Sequence, residues 1–237
     1  EAPCNYPDNT YKFRQDSTFL YFFGIDQPGI TGVIDAESGE EYLFGDDVTM
    51  DDIIWMGPQP GMKELAAKVG VANSAPYKAI KEVVQKARKQ NRVIHFLPPY
   101  RHDSMLYLED LLDIRVAQLK AHSSLPLIKA VVDLRSVKET CEIEEIERAC
   151  DIGYEMHTTA MRLCKPGVKE QYISGVLDGI ASSYGCMTSF ATILSQNGET
   201  LHNHYHGNFL ETGRMMLTDA GAETNYETLQ HADPSEG

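Results

Sequence analysis

The chain has 237 residues, 42% hydrophobic and 24% charged, the composition of a globular protein that can bury one large or two modest domains. Its formal charge of -14 repels a phosphate backbone, and its basic residues are dispersed apart from a short run at 86–89, which argues against nucleic acid as a partner. No apolar run reaches the ~18 to 20 residues that span a bilayer, and five cysteines without a Cys-x-x-Cys indicate neither a disulfide framework nor a thiolate zinc site.

A soluble protein of a reducing, cytoplasmic compartment is expected. The chain opens without Met, and a fragment of a longer protein is expected. Pro3, Asn5, Pro7, Asp8 and Asn9 give the first ten residues the character of a loop. Phe13 to Phe23 then reads as a polar opening followed by an aromatic strand that stops at Gly24. Two β-prone runs, 29–35 and 40–44, flank the turn Glu37-Ser38-Gly39 and predict a hairpin. Gly24, Gly29 and Gly32 read as turns, since no Gly-Lys-Ser/Thr follows them to bind phosphate. Asp46, Asp47, Asp51 and Asp52 lack the closing Glu of an oxygen-ligand loop and read as solvated helix caps.

Helical spacing is predicted over 62–70 and 77–90, the second with Ile80, Val83 and Val84 inward. Residues 92–97 read as an apolar strand in which His95 is packed, and 104–119 as one amphipathic helix carrying Leu108, Leu111, Leu112 and Val116 on a single side. This alternation predicts an α/β domain over residues 1–124. Leu125 to Leu134 reads as the crossing to a second domain, residues 125–237. Ser136 and Glu139 form a Ser-x-x-Glu capping box that starts a long helix through about Cys164. Its stripe is predicted as Ile143, Ile146, Ala149, Cys150, Met156, Ala160 and Leu163, with Glu142, Glu144, Glu145 and Glu147 on the wet face. Lys165-Pro166-Gly167 ends that helix, a second runs to Tyr184-Gly185, and 189–194 reads as a strand.

The chemistry is expected at Leu201 to Glu223. His202, His204 and His206 are spaced by two, so in an extended segment they share one face. Thr212 and Gly213 turn the chain into a run containing Met215, Met216 and Leu217 that suits a buried strand. Asp219 follows it, and Gly221 lets the backbone turn away. A carboxylate presented there beside imidazoles suits a metal ligand or an acid/base group. The same pattern also reads as a solvated face followed by an Asp-Gly turn.

Asn197-Gly198, Leu201-His202, Gly213 and Asp219-Ala220-Gly221-Ala222-Glu223 together resemble the first metal-ligand region of the Xaa-Pro aminopeptidase and prolidase family, the pita-bread metallopeptidases. Arg14-Gln15-Asp16 with Phe19, Tyr21 and Phe22-Phe23-Gly24 resembles a signature of that family's N-terminal domain. Val137-Lys138, Glu144-Glu145-Ile146 and Ala149 resemble the helix opening its catalytic domain, and Lys165-Pro166-Gly167 with Glu170 the turn that follows. The resemblance implies an α/β N-terminal domain of the creatinase/aminopeptidase P type, then the first part of an α+β pita-bread catalytic domain.

The implied activity is metal-dependent release of an N-terminal residue preceding proline, with two manganese ions as cofactor and a homodimer as the assembly. Asp219 would be the first metal ligand, and His202 would hydrogen-bond the tetrahedral intermediate or its oxyanion. His204 and His206 match no invariant position of the family. The second metal-binding Asp of the family falls at Gln230 here, and Asp233 lies three residues too far along. Prolidase activity on dipeptides, or a non-catalytic pita-bread binding module, are the alternatives.

Overall fold

A computed structural model describes residues 4–7 and 9–224, and the chain packs as two units, Glu1–Val137 and Lys138–Gly237. Gln230 and Asp233 lie outside the described residues.

The first unit opens with a small antiparallel pair, β1 (Cys4–Tyr6) and β2 (Asn9–Thr10), followed by helix α1 (Ser17–Phe23). The aromatic run expected to be a strand is this helix, because its ends are capped. Asp16 Oδ1 accepts from the amides of Thr18 and Phe19, each at 2.9 Å, and Gly24 closes the helix at φ 64°, donating to Leu20 O at 2.8 Å. Strand propensity here reflects aromatic bulk, which packs equally well at i,i+4: the Phe19 and Phe23 rings lie 5.1 Å apart. Gln15 fixes the approach to α1, donating from Nε2 to Ile25 O at 3.1 Å and Gln27 O at 2.9 Å while its Oε1 accepts from Asp16 N.

Strands β3 (Thr31–Ile34) and β4 (Glu41–Phe44) form the expected hairpin, and β5 (Asn73–Ala75) lies parallel to β4, giving the order β3-β4-β5. The crossover between β4 and β5 carries α2 (Met50–Met56) and α3 (Met62–Lys68). Successive side chains of β4 point to opposite faces. Leu43 packs with Phe23, Met62, Leu65 and Ala66 from α1 and α3, whereas Phe44 packs with Ile80, Val84 and Leu112. Gly32 permits the first contact, since a Cβ there would sit 2.1 Å from the Phe23 ring. The acidic run caps helices: Asp47 accepts from Met62 N at 2.6 Å, Asp46 from Tyr77 N at 3.0 Å, and Asp52 completes a capping box with Thr49.

A 3₁₀ turn (Tyr77–Ala79) leads into α4 (Ile80–Lys89), which buries Ile80 and Val84 but leaves Val83 exposed. Residues 92–97 are not a strand: they join no ladder among the described residues, and two backbone bonds, Arg92 N to Ala87 O and Ser124 N to Phe96 O, each at 3.0 Å, anchor them. His95 is exposed there and hydrogen-bonds Ser124 Oγ at 2.6 Å, so it is not packed as expected. The single helix expected at 104–119 is two, α5 (His102–Leu112) and α6 (Val116–His122), broken where Asp113 takes φ 54°. Leu125–Ser136 forms α7, with Pro126 in its first turn and Tyr21 OH donating to Leu134 O at 3.3 Å.

One ion pair clamps the hairpin. Arg92 meets Asp35 through two bonds, at 2.5 and 2.7 Å, while Asp35 Oδ1 also accepts from the amides of Glu37 and Ser38. The Arg92 guanidinium, then those amides, hold the Asp35 carboxyl well below the usual carboxylate range. A folded pKa below the unfolded one contributes stability that is complete above about pH 4 and fades as the pH falls through the folded value. Asp35→Asn should therefore lower the urea midpoint at pH 7 more than at pH 2. Equal losses at both pH values would mean that the charge is irrelevant and only shape matters.

The second unit is built on α8 (Thr140–Leu163) and α9 (Glu170–Ser183), which bury Ile152, Met156 and Ala160 against Ile173, Leu177 and Ala181. The capping box of α8 is Glu139 with Glu142, not Ser136 with Glu139, since Ser136 belongs to the last turn of α7, where its hydroxyl donates to Val132 O. The predicted stripe is correct only in the later half of α8. Ile143 and Ile146 are 46% and 48% exposed and Cys150 is also exposed, because the cluster that buries this helix begins at Ile152. The sheet pieces are β6 (Met187–Thr188) with β9 (Ala222–Glu223), and β7 (Ile193–Ser195) with β8 (Leu217–Asp219), both antiparallel. No helix among the described residues is long and apolar enough to cross a membrane, and the five cysteines are free thiols.

Candidate metal and catalytic site

Asp219 owes its position to two neighbouring ladders. β8 pairs with the fully buried β7 in the register Ile193 to Asp219 and Ser195 to Leu217, so the short strand is fixed by its partner. Gly213, at φ +83°, makes the turn before it. Beyond it, Gly221 lies against Ser189, where a Cβ would meet Ser189 Oγ at 2.9 Å, and its carbonyl accepts from Ser189 N at 3.0 Å. Between them Ala220 is buried, and His157 of α8 donates from Nε2 to the Ala220 carbonyl at 3.0 Å. The result is an exposed carboxylate on a backbone held from three sides. His157 was not legible as a contributor, because a lone histidine on a helix carries no signal of its partner.

The three histidines do not share a strand face. Residues 201–208 are a turn followed by irregular chain, in which Asn203 Oδ1 accepts from Tyr205 N at 2.9 Å and folds the backbone on itself. Alternation along a strand needs a ladder partner, and among the described residues 201–208 have none, the isolated bridge of Lys169 to Phe209 falling just beyond them. His202 and His204 are exposed. His206 is half-buried and occupied, donating from Nδ1 to Leu194 O at 3.0 Å while its carbonyl accepts from Gln171 N.

What holds this segment is a polar network that the sequence did not announce. Glu170, the first residue of α9, is completely buried. Its Oε1 accepts from Gln196 N at 2.8 Å and Ser195 Oγ at 3.3 Å, and its Oε2 accepts from Asn208 Nδ2 at 3.0 Å. Gln196 adds a second tie, donating from Nε2 to Phe209 O and accepting from Glu211 N, each at 3.0 Å. Arg214 donates to Asn197 Oδ1 at 2.7 Å. A Glu at the start of a helix ordinarily reads as a solvated charge near the helix dipole, which is why its burial could not be foreseen.

Asp219 offers the hard oxygen donor that divalent ions favour. Among the described residues, however, no group of three or more His, Cys, Asp or Glu side chains is arranged to hold a metal ion. The described residues therefore hold no complete ligand set.

Residues 1–95 match the model of the aminopeptidase P N-terminal domain, and residues 144–230 that of metallopeptidase family M24. The chain is 27% identical over 227 residues to the Xaa-Pro aminopeptidase of Escherichia coli, covering 91% of this chain and 52% of that protein. It is 25% identical over 224 residues to the Xaa-Pro dipeptidase of Homo sapiens, covering 91% and 45%. Its fold is similar to that of zinc-substituted Escherichia coli aminopeptidase P in complex with product, with a TM-score of 0.76 at 23% identity over 94% of this chain and 53% of the other. Pseudomonas aeruginosa aminopeptidase PepP gives a TM-score of 0.78 at 20% identity over 95% and 53%. The chain spans about half the length of the curated relatives it matches. It thus joins an aminopeptidase P N-terminal domain to the first part of a family M24 metallopeptidase domain.

Proposed function

We propose that this chain forms the first part of a metal-dependent exopeptidase that releases an N-terminal residue preceding proline, working in the cytoplasm as a homodimer. The observation that carries the reading is the braced exposure of Asp219, at the end of β8, within the segment that matches the M24 model. In the complete protein Asp219 would be the first ligand of a divalent pair, manganese in our reading. Such ions lower the pKa of a bound water and polarise the scissile carbonyl.

His202 would donate a hydrogen bond to the oxyanion that develops at that carbon. Its exposure in a loop anchored at both ends suits a group that must reach a substrate. His204 and His206 have no assigned role in the reaction. The similarity to a human Xaa-Pro dipeptidase, at nearly the same identity as to the aminopeptidase, favours prolidase activity as the second reading.

The test is hydrolysis by the full-length protein of an Xaa-Pro tripeptide against the matching Xaa-Pro dipeptide, with manganese or with excess chelator. Cleavage of the tripeptide that chelator abolishes is expected. Cleavage of the dipeptide alone selects prolidase, and undiminished activity in chelator would remove the metal mechanism.

A further inference from the structure

We infer that Glu170 is a positioning residue for His202, an inference that rests on the catalytic role proposed above for that histidine. The chain from Ser195 to Asn208 leaves the buried end of β7 and returns to the start of α9, with His202 near its middle. One carboxylate holds both ends. Oε1 takes Gln196 N and Ser195 Oγ from the outgoing arm, Oε2 takes Asn208 Nδ2 from the returning arm, and the Glu170 amide donates to Asn208 O at 3.0 Å. Two further bonds draw the returning arm onto α9 and β7: Gln171 N to His206 O at 2.9 Å, and His206 Nδ1 to Leu194 O at 3.0 Å.

The choice of an acid here has a physical reason. Three donors converge on a fully buried group, and a carboxyl group has two oxygens that can accept from both arms at once. A neutral amide offers one acceptor oxygen and would turn its NH₂ toward one of the donors. A purely apolar residue would leave Gln196 N and Asn208 Nδ2 unsatisfied in the interior. β8 lies against the other edge of the same story: Leu194, whose carbonyl receives His206, pairs with Thr218, the residue before Asp219. The carboxylate therefore sets the distance between the His202 arm and the Asp219 strand. Displacing a catalytic group by about 1 Å can cost on the order of 10²-fold in rate.

The test uses the full-length protein with manganese and an Xaa-Pro tripeptide, comparing Glu170→Gln, Asn208→Ala and His202→Ala alone and in combination. Asn208→Ala is included because it releases only the returning arm and leaves Glu170 its other two donors, so it remains informative should the Glu170 variant fold poorly. Each loop variant should lower kcat roughly 10- to 100-fold with KM changed less than about 2-fold and metal content unchanged. In the His202→Ala background the same substitutions should cost less than about 2-fold more, because the group they position is gone. Amide exchange at Gln196 and Gln171 should accelerate in both loop variants. Effects that multiply fully with His202→Ala, or loop variants as active as the parent, would overturn the inference. Loss of its premise looks different: His202→Ala itself would then retain full activity.

Discussion

Asp219→Ala in the full-length protein is expected to lose bound divalent metal and at least about 10³-fold in kcat, whereas His202→Ala should keep its metal and lose roughly 10²- to 10³-fold. The two residues differ in the chemistry they can offer. A carboxylate supplies a hard anionic oxygen, and removing one ligand from a paired site uncovers repulsion between the ions as well as a vacant coordination position. An imidazole supplies a donor aimed where charge develops, a contribution whose removal slows the chemical step without touching the ground-state metal. Both side chains are exposed, so neither substitution opens a cavity, and thermal stability of the metal-free forms should change by no more than about 0.5 kcal/mol. Metal analysis, steady-state kinetics and a thermal melt on the same preparations separate the cases. Metal lost from His202→Ala and kept by Asp219→Ala would mean that the roles are exchanged.

Much of the second unit was legible because its signals are local. The apolar run 215–217 and the Gly213 turn before it predicted a buried strand over 214–218 with Asp219 directly after it; the strand is Leu217–Asp219, half-buried, with Met215 89% exposed, because only Leu217 to Asp219 finds a partner in β7. Likewise the pairing of Pro166 and Gly167 ends α8 where the sequence placed its end. The failures share a cause: they depend on what lies across space. Phe19 to Phe23 has the composition of a strand, yet Asp16 and Gly24 cap it as a helix, and those cap residues were visible but outweighed by aromatic content. The alternating histidines would share a face only with a ladder beside them, which residues 201–208 lack. Ile143 and Ile146 keep helical spacing but meet none of the cluster that buries Ile152 and Met156. Glu170 is the sharpest case, because nothing in Pro-Gly-x-x-Glu distinguishes a solvated first-turn acid from one that gathers three buried donors.

This 237-residue chain, purified alone and supplied with manganese, is expected to turn over Xaa-Pro peptides at less than about one thousandth of the full-length rate. Holding two divalent ions close together requires several anionic ligands to offset their desolvation and mutual repulsion. Among the described residues Asp219 is a single exposed carboxylate outside any group of three candidate donors. The histidines do not compensate: His206 spends Nδ1 on Leu194 O, and His202 and His204 lie in a turn and irregular chain, not on a common strand face. Imidazoles would in any case favour a softer transition ion over a manganese pair bridged by carboxylates. The apolar surface near the site points the same way, with Met215, Leu201 and Phe209 89%, 66% and 61% exposed, so the isolated chain should also associate at micromolar concentration. Size-exclusion chromatography and a direct peptide assay, each run with and without manganese, measure both effects. Turnover near the full-length rate would require the missing ligands to come from within this chain, with Asp233 the first residue to substitute, and the argument from a single carboxylate would then fail.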